Sequence, residues 1–592
     1  MSSVRRSPFP ATFYVANTME IFERLAWYGF FSLSSLYMTS PTSHGGLGFS
    51  DQERGFLQGM IPFLLYLLPV LTGALADRYG YRRMFLCSFA LMAPSYYLLG
   101  QVESFWAFFM AFTAVAVGAA CFKPVVVGTV GRCSDDSNRG LAFGIFYTMV
   151  NIGGFVGPLV AGYLRAISWD WVFVMSSLWI LINFIPALFW YRDPVVNTSD
   201  QRTVRQVLQE MQQVLGNGRL ALLVLPLLLG LMFSPRFAIS WWQMLLVAGL
   251  WIGLNLGWSY GLRLAKSLHS NGNSGQILAW YQQQMQLGNG RFVCFLLLLT
   301  GFFTAYNQLF ITLPVYLRDY VDTRDLVQSL AAWSPTLLDY FAAVNIPQLA
   351  AALPALAIQF GTLEPAQWQS LVLELAHHKI LLPPDEMAAG LQALLQQQLS
   401  AEQLASQWAA EYRQINPEYI VNLGFATIVL AQIAISTFIE RWPAIPVLVV
   451  GTVVMAAGLL GCGLSGMLLV GGVTIVGAVV VFSCGEMIAS PKSQEYVAAI
   501  APRHQTAMYM GYYFVAMALG NLFAGLLSGF AYTVIAKQMN QPLLMWVLFA
   551  GIALLTAAGM LIFHYWVQRQ PLPVKLDVAK TNATEVNGEC LT

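Results

Sequence analysis

The stretch EIFERLAWYGFF, from Glu20 to Phe31, lies inside an apolar segment that runs from Ala11 to Met38. About 20 apolar residues suffice to cross a bilayer as a helix, so this segment is long enough to span. At ~100° per residue, positions 20, 23, 24, 27, 28 and 31 fall on one helical stripe. Glu20, Glu23, Arg24, Trp27, Tyr28 and Phe31 therefore share a face. With a helix start near Ala11 and a rise of ~1.5 Å per residue, Glu20 sits about 13 Å into the membrane. Each charge at such depth costs roughly 2.5 to 3.5 kcal/mol on insertion scales. One arginine cannot neutralise two carboxylates, so one carboxylate is a candidate to carry a proton. That is the signature of a proton-coupled membrane machine; the alternative is a static ion pair that staples helices together.

The rest of the chain agrees with a membrane setting. Of 592 residues, 57% are hydrophobic and only 10% charged, and the net charge is +1. Soluble domains carry about 25% charged residues. A near-zero net charge gives no footprint for nucleic acid. The seven cysteines show no metal or disulfide spacing; Cys87, Cys121, Cys294, Cys462 and Cys484 fall in apolar segments. The first apolar segment is too long and too charged for a signal-peptide core, and is expected to be retained as the first span.

About fourteen spans are expected, in a pattern of six, two and six. The first six lie near 11–38, 53–76, 83–101, 104–131, 140–164 and 168–191. A pair follows near 219–234 and 237–262, and six more near 291–317, 418–439, 444–464, 467–498, 505–534 and 543–567. The sequence LGNGR occurs at Leu215–Arg219 and again at Leu287–Arg291, on both sides of the pair. Similar helix-start chemistry explains the repeat, and its placement marks the pair as an insert between two halves. Arg5, Arg6, Arg78, Arg82, Arg83, Arg202, Arg205, Arg219, Arg263, Lys266, Arg441 and Arg503 fall at segment ends of one parity, which places both termini in the cytoplasm by the positive-inside rule.

The segment Asp322 to Asn416 then lies outside the cytoplasm. It carries three basic residues against nine acids, and its longest apolar run, Leu349–Phe360, is short and contains Pro354. Runs such as Asp385–Trp408 read as amphipathic helices, so a small helical extracytoplasmic insertion is expected. His377 and His378 are adjacent and point to different helix faces, a poor metal clue. No metal or cofactor is expected.

Further polar residues lie within spans: Lys123 before Pro124, Asn151, the pair Asn307 and Gln308, and Glu486 ahead of Pro491. Proline loosens a helix, so Lys123–Pro124 and Glu486–Pro491 combine a charge with a hinge. An unpaired charge is not tolerated in lipid, so Lys123 is expected to face Glu20, Glu23 or Glu486 across a central cavity. Other readings are that Lys123 snorkels to the cytoplasmic face and that Asn151 only bonds a neighbouring helix.

Together these residues resemble the proton-dependent oligopeptide transporter family of the major facilitator superfamily. Glu20, Glu23 and Arg24 reproduce an E-x-x-E-R motif, followed by Tyr28–Gly29. GALADRYGYRR, with Gly73, Asp77, Arg78, Gly80, Arg82 and Arg83, is similar to the superfamily loop between helices 2 and 3. Lys123–Pro124 resembles the helix-4 lysine, and Phe146–Tyr147 with Asn151 and Gly153 the F-Y-x-x-x-N-x-G signature. INPEYI at 415–420 looks like the start of helix 8. Gly485–Glu486, Ser490–Pro491 and MGYYFVAMALGN at 510–521 look like helices 10 and 11. The resemblance implies an all-α major facilitator fold of two six-helix bundles with two additional transmembrane helices between them. It implies proton-driven import of di- and tripeptides by alternating access. Proton coupling then falls to Glu20, Glu23, Arg24 and Lys123. Solute contact falls to Tyr28, Lys123, Asn151, Asn307, Gln308 and Glu486, with Glu486 taking a peptide amino terminus. Gly73, Asp77, Arg78, Gly80, Arg82, Arg83, Pro124 and Pro491 are expected to serve gating or structure.

Three departures bear on cargo. Peptide-transporting members usually carry an arginine where this chain has Phe31, a glutamate where it has Asn307, and a helix-8 asparagine where it has Gly424. The first two form an outer salt bridge in the family; both are missing together, as expected when losing one alone would strand a buried charge. The expected organisation is a first bundle at 1–191, a linker with two extra spans at 192–290, the first helix of the second bundle at 291–321, the insertion at 322–416, the rest of that bundle at 417–568 and a cytoplasmic tail at 569–592. The expected partners are protons, a short peptide or peptide-like solute, and the bilayer of a bacterial inner membrane, with no nucleic acid. A non-peptide organic solute, and a non-transporting sensor or assembly protein displaying the insertion, are the alternatives. An enzyme is not expected, since no histidine lies mid-membrane beside a carboxylate and no nucleophile elbow or phosphate loop is present.

Overall fold

The computed structural model describes residues 9–135, 138–194, 217–234, 241–268, 285, 289–468, 470–501 and 506–569. The expected tail and most of the linkers flanking the middle pair lie outside the described residues. The first half contains α1 (Ala11–Thr39), α2 (Asp51–Leu67), α3 (Pro69–Tyr79), α4 (Tyr81–Leu99), α5 (Phe105–Arg132), α6 (Arg139–Ile167), α7 (Trp169–Ile182) and α8 (Phe184–Phe189). The middle pair is α9 (Gly218–Phe233) and α10 (Trp241–Leu268). The second half opens with α11 (Gly290–Tyr306), α12 (Gln308–Ile311) and α13 (Leu313–Tyr320). Six short helices follow: α14 (Arg324–Trp333), α15 (Pro335–Phe341), α16 (Ile346–Phe360), α17 (Trp368–His377), α18 (Pro384–Leu395) and α19 (Ala401–Glu411). The chain returns through α20 (Pro417–Ile439), α21 (Ala444–Ser465), α22 (Gly471–Ile500), α23 (Thr506–Ala531), a π-helical turn at Tyr532–Gln538, and α24 (Pro542–Gln568).

Among the described residues ten helices are long and apolar enough to cross a membrane, or twelve if each of two bent pairs is one span. The ten do not include α1, which carries three ionisable side chains, nor α9, which has 16 residues. One bent pair is Pro335–Phe341 with Ile346–Phe360, inside the segment that the sequence reading places outside the membrane. No strand occurs among the described residues; one isolated bridge joins Ile380 and Arg413.

Local chemistry sets the helix starts. Ser50 accepts from the Glu53 amide at 3.2 Å while the Glu53 carboxylate accepts from the Ser50 amide at 3.1 Å, a reciprocal cap on α2. Both LGNGR copies place their asparagine at a helix N-cap: Asn217 accepts from the Leu220 amide and Asn289 from the Phe292 amide. The repeat is therefore helix-start chemistry, as the sequence suggests.

Buried apolar residues form three clusters. One gathers around Phe85, Phe89, Phe112 and Phe122 in the first half. Another gathers around Phe295, Phe302, Phe482, Trp546 and Phe549 in the second. A third, around Leu353, Leu375, Met387, Leu391, Leu404 and Trp408, is drawn from α16–α19, the turns between them and Tyr412 at the end of α19. The segment after α13 therefore has a core of its own. The two halves meet where α2 crosses α23. A Cβ at Gly55 would lie 2.4 Å from the Gly525 carbonyl oxygen, and one at Gly525 2.3 Å from that of Gly55. Only glycine permits that approach.

Candidate functional site

Glu20, Glu23 and Arg24 are buried together on α1, none more than 1% exposed. Arg24 donates from Nε to Glu23 at 2.5 Å, and the same nitrogen lies 3.3 Å from Glu20. A guanidinium nitrogen makes a second, closer contact with Glu23. Both oxygens of Glu20 and Oε1 of Glu23 are buried without a hydrogen-bond partner. One guanidinium is thus shared by two carboxylates and leaves acceptor capacity unfilled. Lys123 on α5 interacts electrostatically with Arg24, Glu20 and Glu23, but makes no ion pair within 4 Å of a described carboxylate. Its electrostatic neighbours are the α1 cluster, and Glu486 is not among them.

The neighbouring helix is cut to fit this cluster. A Cβ at Gly153 would lie 2.4 Å from the Arg24 Cβ, and one at Gly157 would lie 2.9 Å from the Gly29 amide nitrogen. The motif glycine beside Asn151 therefore has a packing reason: it lets α6 lie against the arginine stem. Gly153→Val is expected to lower thermal stability by roughly 1–3 kcal/mol through overpacking, read as a fall in melting temperature of the detergent-purified protein. Asn151 lies on the same helix, part-buried.

An aromatic path links the cluster to the second half. The Arg24 guanidinium lies 5.6 Å from the Tyr28 ring centre. Tyr28 packs edge-on against Phe425 of α20 at 5.0 Å. Phe425 meets Phe310 at 5.8 Å, and Phe310 meets Tyr306 at 5.4 Å. Tyr306 donates its hydroxyl to Glu486 at 2.8 Å, and the other Glu486 oxygen is buried without a partner. Phe425, Phe310 and Tyr306 were not legible as site residues, because an aromatic in an apolar span reads as core. The position where the family pattern has an arginine is filled by apolar stacking: Phe31 lies on Trp27 at 5.1 Å and 13°. Gly424 faces Ser483, while Asn422, two residues earlier, donates to the Phe155 carbonyl at 2.9 Å across the two halves.

Two solute-contact expectations change. Gln308 is fully buried, its amide donating to the Thr304 and Ala524 carbonyls and accepting from Thr312 at 2.6 Å. Asn307 donates back to the Phe303 carbonyl at 2.7 Å. These side chains bond the backbone where the span breaks into α11, α12 and α13, and Gln308 has spent both amide hydrogens on carbonyls. Pro314, which has no amide hydrogen to return to Phe310, accounts for the second interruption, between α12 and α13.

Sequence reasoning missed the residues that close one end of the bundle. Arg54 on α2, fully buried, donates to the Ile311 carbonyl at the helix break at 2.8 Å and to Ser528 of α23 at 3.1 Å. It also reaches Asp51 at 3.3 Å, which Lys537 pairs at 2.8 Å. Ser35 donates to the same Ile311 carbonyl at 2.9 Å. Arg318 is held by Asp319 at 2.6 Å and donates to Thr39 of α1 at 2.9 Å. Tyr532 donates to Asp319 at 2.6 Å, and Arg165 pairs with Glu418 at 2.9 Å between α6 and α20. The pair missing at Phe31 and Asn307 thus has counterparts nearer the end of the bundle. The D-x-x-R-x-x-x-Q spacing of Asp51, Arg54 and Gln58 was the available signal.

The glycine-rich loop pins the other end of the first half. Gly80 has φ 91°, a conformation that favours glycine, and joins α3 to α4. Asp77 pairs with Arg132 at 2.8 Å, and Arg82 donates to the Ala187 and Leu188 carbonyls at the end of α8. A Cβ at Gly73 would only touch Pro124, at 3.5 Å. Arg78 and Arg83 are exposed, and Pro491 lies within the continuous helix α22. Tyr147 donates to Gln494 at 3.1 Å between the halves at this end.

This is an all-helical architecture of two halves with a buried charge cluster on the first helix. A family model described as Major Facilitator Superfamily matches residues 20–279 and 386–587, more than half of the chain. The chain belongs to the Major Facilitator Superfamily. A stretch of 173 residues is 28% identical to the peptide transporter YePEPT of Yersinia enterocolitica, covering 28% of this chain and 34% of that protein. A stretch of 192 residues is 28% identical to dipeptide and tripeptide permease A of Citrobacter koseri, covering 31% and 37%. The aligned part thus spans about a third of the length of these relatives. A solved POT family transporter in complex with a thioalcohol-conjugated peptide superposes with TM-score 0.59 at 14% identity, covering 94% of this chain and 96% of that one. A mutant form of the nucleoside transporter NupG superposes with TM-score 0.52 at 12% identity, covering 93% and 99%. At such identities the superpositions establish the fold.

Proposed function

We propose that this protein is a proton-coupled symporter that imports short peptides or peptide-like solutes by alternating access. The observation that carries the reading is the buried Glu20–Glu23–Arg24 cluster with Lys123 beside it. With both carboxylates ionised, the two cations balance them; one added proton leaves an excess positive charge, which an anionic solute group or a rearranged Lys123 can offset. The aromatic path to Glu486 gives the second half a stake in that state. Within this reading Tyr28, Lys123, Asn151 and Glu486 line the solute path, with Glu486 and Tyr306 meeting an ammonium group. We further propose fourteen spans in a bacterial inner membrane, both termini cytoplasmic and the segment 322–416 outside.

The test is uptake into liposomes across an inward proton gradient, with a panel of di- and tripeptides and with non-peptide solutes. Peptide accumulation that collapses with a protonophore supports the reading; no uptake of any di- or tripeptide contradicts it. A second reading keeps the symporter and changes the cargo to a non-peptide organic solute. The Phe31–Trp27 stack favours it, since no cation occupies the position that would hold a peptide carboxylate. Stabilisation in a thermal-shift screen by non-peptides but never by dipeptides would select it.

A further inference from the structure

The segment between α13 and α20 docks on both halves. Gln348 donates to the Ser43 carbonyl at 3.4 Å, and Tyr340 donates to the Leu159 carbonyl at 2.9 Å. The Tyr340 ring stacks on Tyr163 of α6 at 5.8 Å and on Tyr419 of α20 at 5.4 Å. Asp325 accepts from the Gly472 and Val473 amides at 3.1 and 2.8 Å. The insertion therefore straddles the seam that Arg54 and Arg318 close.

Three of the chain's six histidines meet at this contact. His44 comes from the short turn Thr42–His44 between α1 and α2; His377 and His378 come from the end of α17. The His44 ring centre lies 4.1 Å from that of His378 and 6.2 Å from that of His377. Nδ1 of His377 and Nε2 of His378 are buried without a hydrogen-bond partner. Arg318 and Lys537 act on His377 from the second half; each is paired, with Asp319 and Asp51 respectively. Lys379, next in the chain, donates to the Ala343 carbonyl at 2.8 Å and senses Arg165 and Glu418 instead. The imidazoles thus face one another and two cations. Among the described residues no group of three histidine, cysteine or acidic side chains is arranged to hold a metal ion.

We propose that His44, His377 and His378 form a proton-operated clasp: neutral, they hold the insertion over the closed end of the bundle; protonated, they release it and free that end to open. The placement of this end on the acidic side of the membrane rests on the function proposed above; the clasp itself does not.

The sign follows from burial. Loss of water, and for His377 and His378 the neighbouring charges and imidazoles, lowers the proton affinity of all three below the ordinary 6.5, to about 4 for His378. The docked state thus binds fewer protons than the undocked one. Its stabilisation is complete above about pH 6.5 and is lost as pH falls toward 4. For His378 alone, moving from pH 7.5 to 5 raises the undocking equilibrium ~30-fold.

Hydrogen exchange on the full chain in lipid nanodiscs, at pH 7.5 and 5.0 and corrected for the intrinsic chemical rate, tests this without requiring transport. Peptides covering residues 40–49 and 368–382 should exchange at least ~10-fold faster at pH 5. The triple variant His44→Gln, His377→Gln, His378→Gln should show equal corrected rates at both values. If the triple variant does not fold, His44→Gln alone, in a half-buried turn, should reduce the pH effect at least twofold. Exchange in the wild type that ignores pH, or a pH effect undiminished in the variants, overturns the proposal. So does release by EDTA at pH 7.5, which would mean that a metal closes the clasp.

Discussion

Replacing Glu23 with Gln is expected to abolish gradient-driven accumulation while sparing solute exchange across the membrane. Glu23 is the closest partner of Arg24. Without its charge, Arg24 retains Glu20 at 3.3 Å, and the cluster carries the excess positive charge of its protonated state permanently, with no second carboxylate to take up and release a proton. A membrane potential of 100 mV supplies ~2.3 kcal/mol per coupled charge, equivalent to ~50-fold accumulation. The variant should fall to the ~1-fold level of simple equilibration, measured as steady-state solute inside over outside in liposomes. Counterflow, in which labelled solute exchanges for unlabelled, should stay within a few-fold of wild type, because the Gln amide keeps a hydrogen bond to Arg24. Glu23→Ala would also open a cavity, so Gln is the informative change.

Arg54→Met is expected to bias the protein toward opening at the end that carries the insertion. Arg54 supplies charge-assisted bonds to the Ile311 carbonyl and to Ser528, joining the two halves. Hydrogen bonds to charged groups contribute ~1.5–3 kcal/mol each, and part of that returns because no guanidinium is then buried. The closed-to-open ratio should fall on the order of 10- to 100-fold. Asp51 keeps Lys537, and Ile311 keeps Ser35, so no charge or carbonyl is left wholly unpartnered. Spin labels at the exposed positions Glu103 and Met467, on opposite halves at this end, should gain a population at longer distance. A distance distribution identical to wild type would place closure elsewhere, in the Gly55–Gly525 crossing or in Arg165–Glu418.

Much of the charge cluster could be read from the sequence because two glutamates and an arginine inside a 28-residue apolar run have few structural explanations. Gly153 was legible only as part of a signature, and its contact with the Arg24 stem gives the reason. Arg54 and Arg318 escaped notice because they lie near segment ends, where a charged side chain ordinarily reaches water. Both are instead buried against the opposite half. Gln308 misled for the converse reason. A polar residue within a span suggests solute contact, but the Gln308 amide is consumed by the Thr304 carbonyl one turn back and the Ala524 carbonyl of α23. Phe425, Phe310 and Tyr306 look like core in any one helix, and only the docking of the halves turns them into a path from Tyr28 to Glu486. His44 lies over 330 residues from His377, so the clasp has no local signature.

The central claim is that the buried carboxylates take up and release a proton as solute crosses. The direct measurement is lumenal pH, from a trapped indicator dye, in liposomes held negative inside by a potassium gradient. Adding a transported solute outside should acidify the lumen, and the Glu23→Gln protein should carry the solute by exchange without any acidification. Solute accumulation with an unchanged lumenal pH, or acidification that survives in Glu23→Gln, would contradict it.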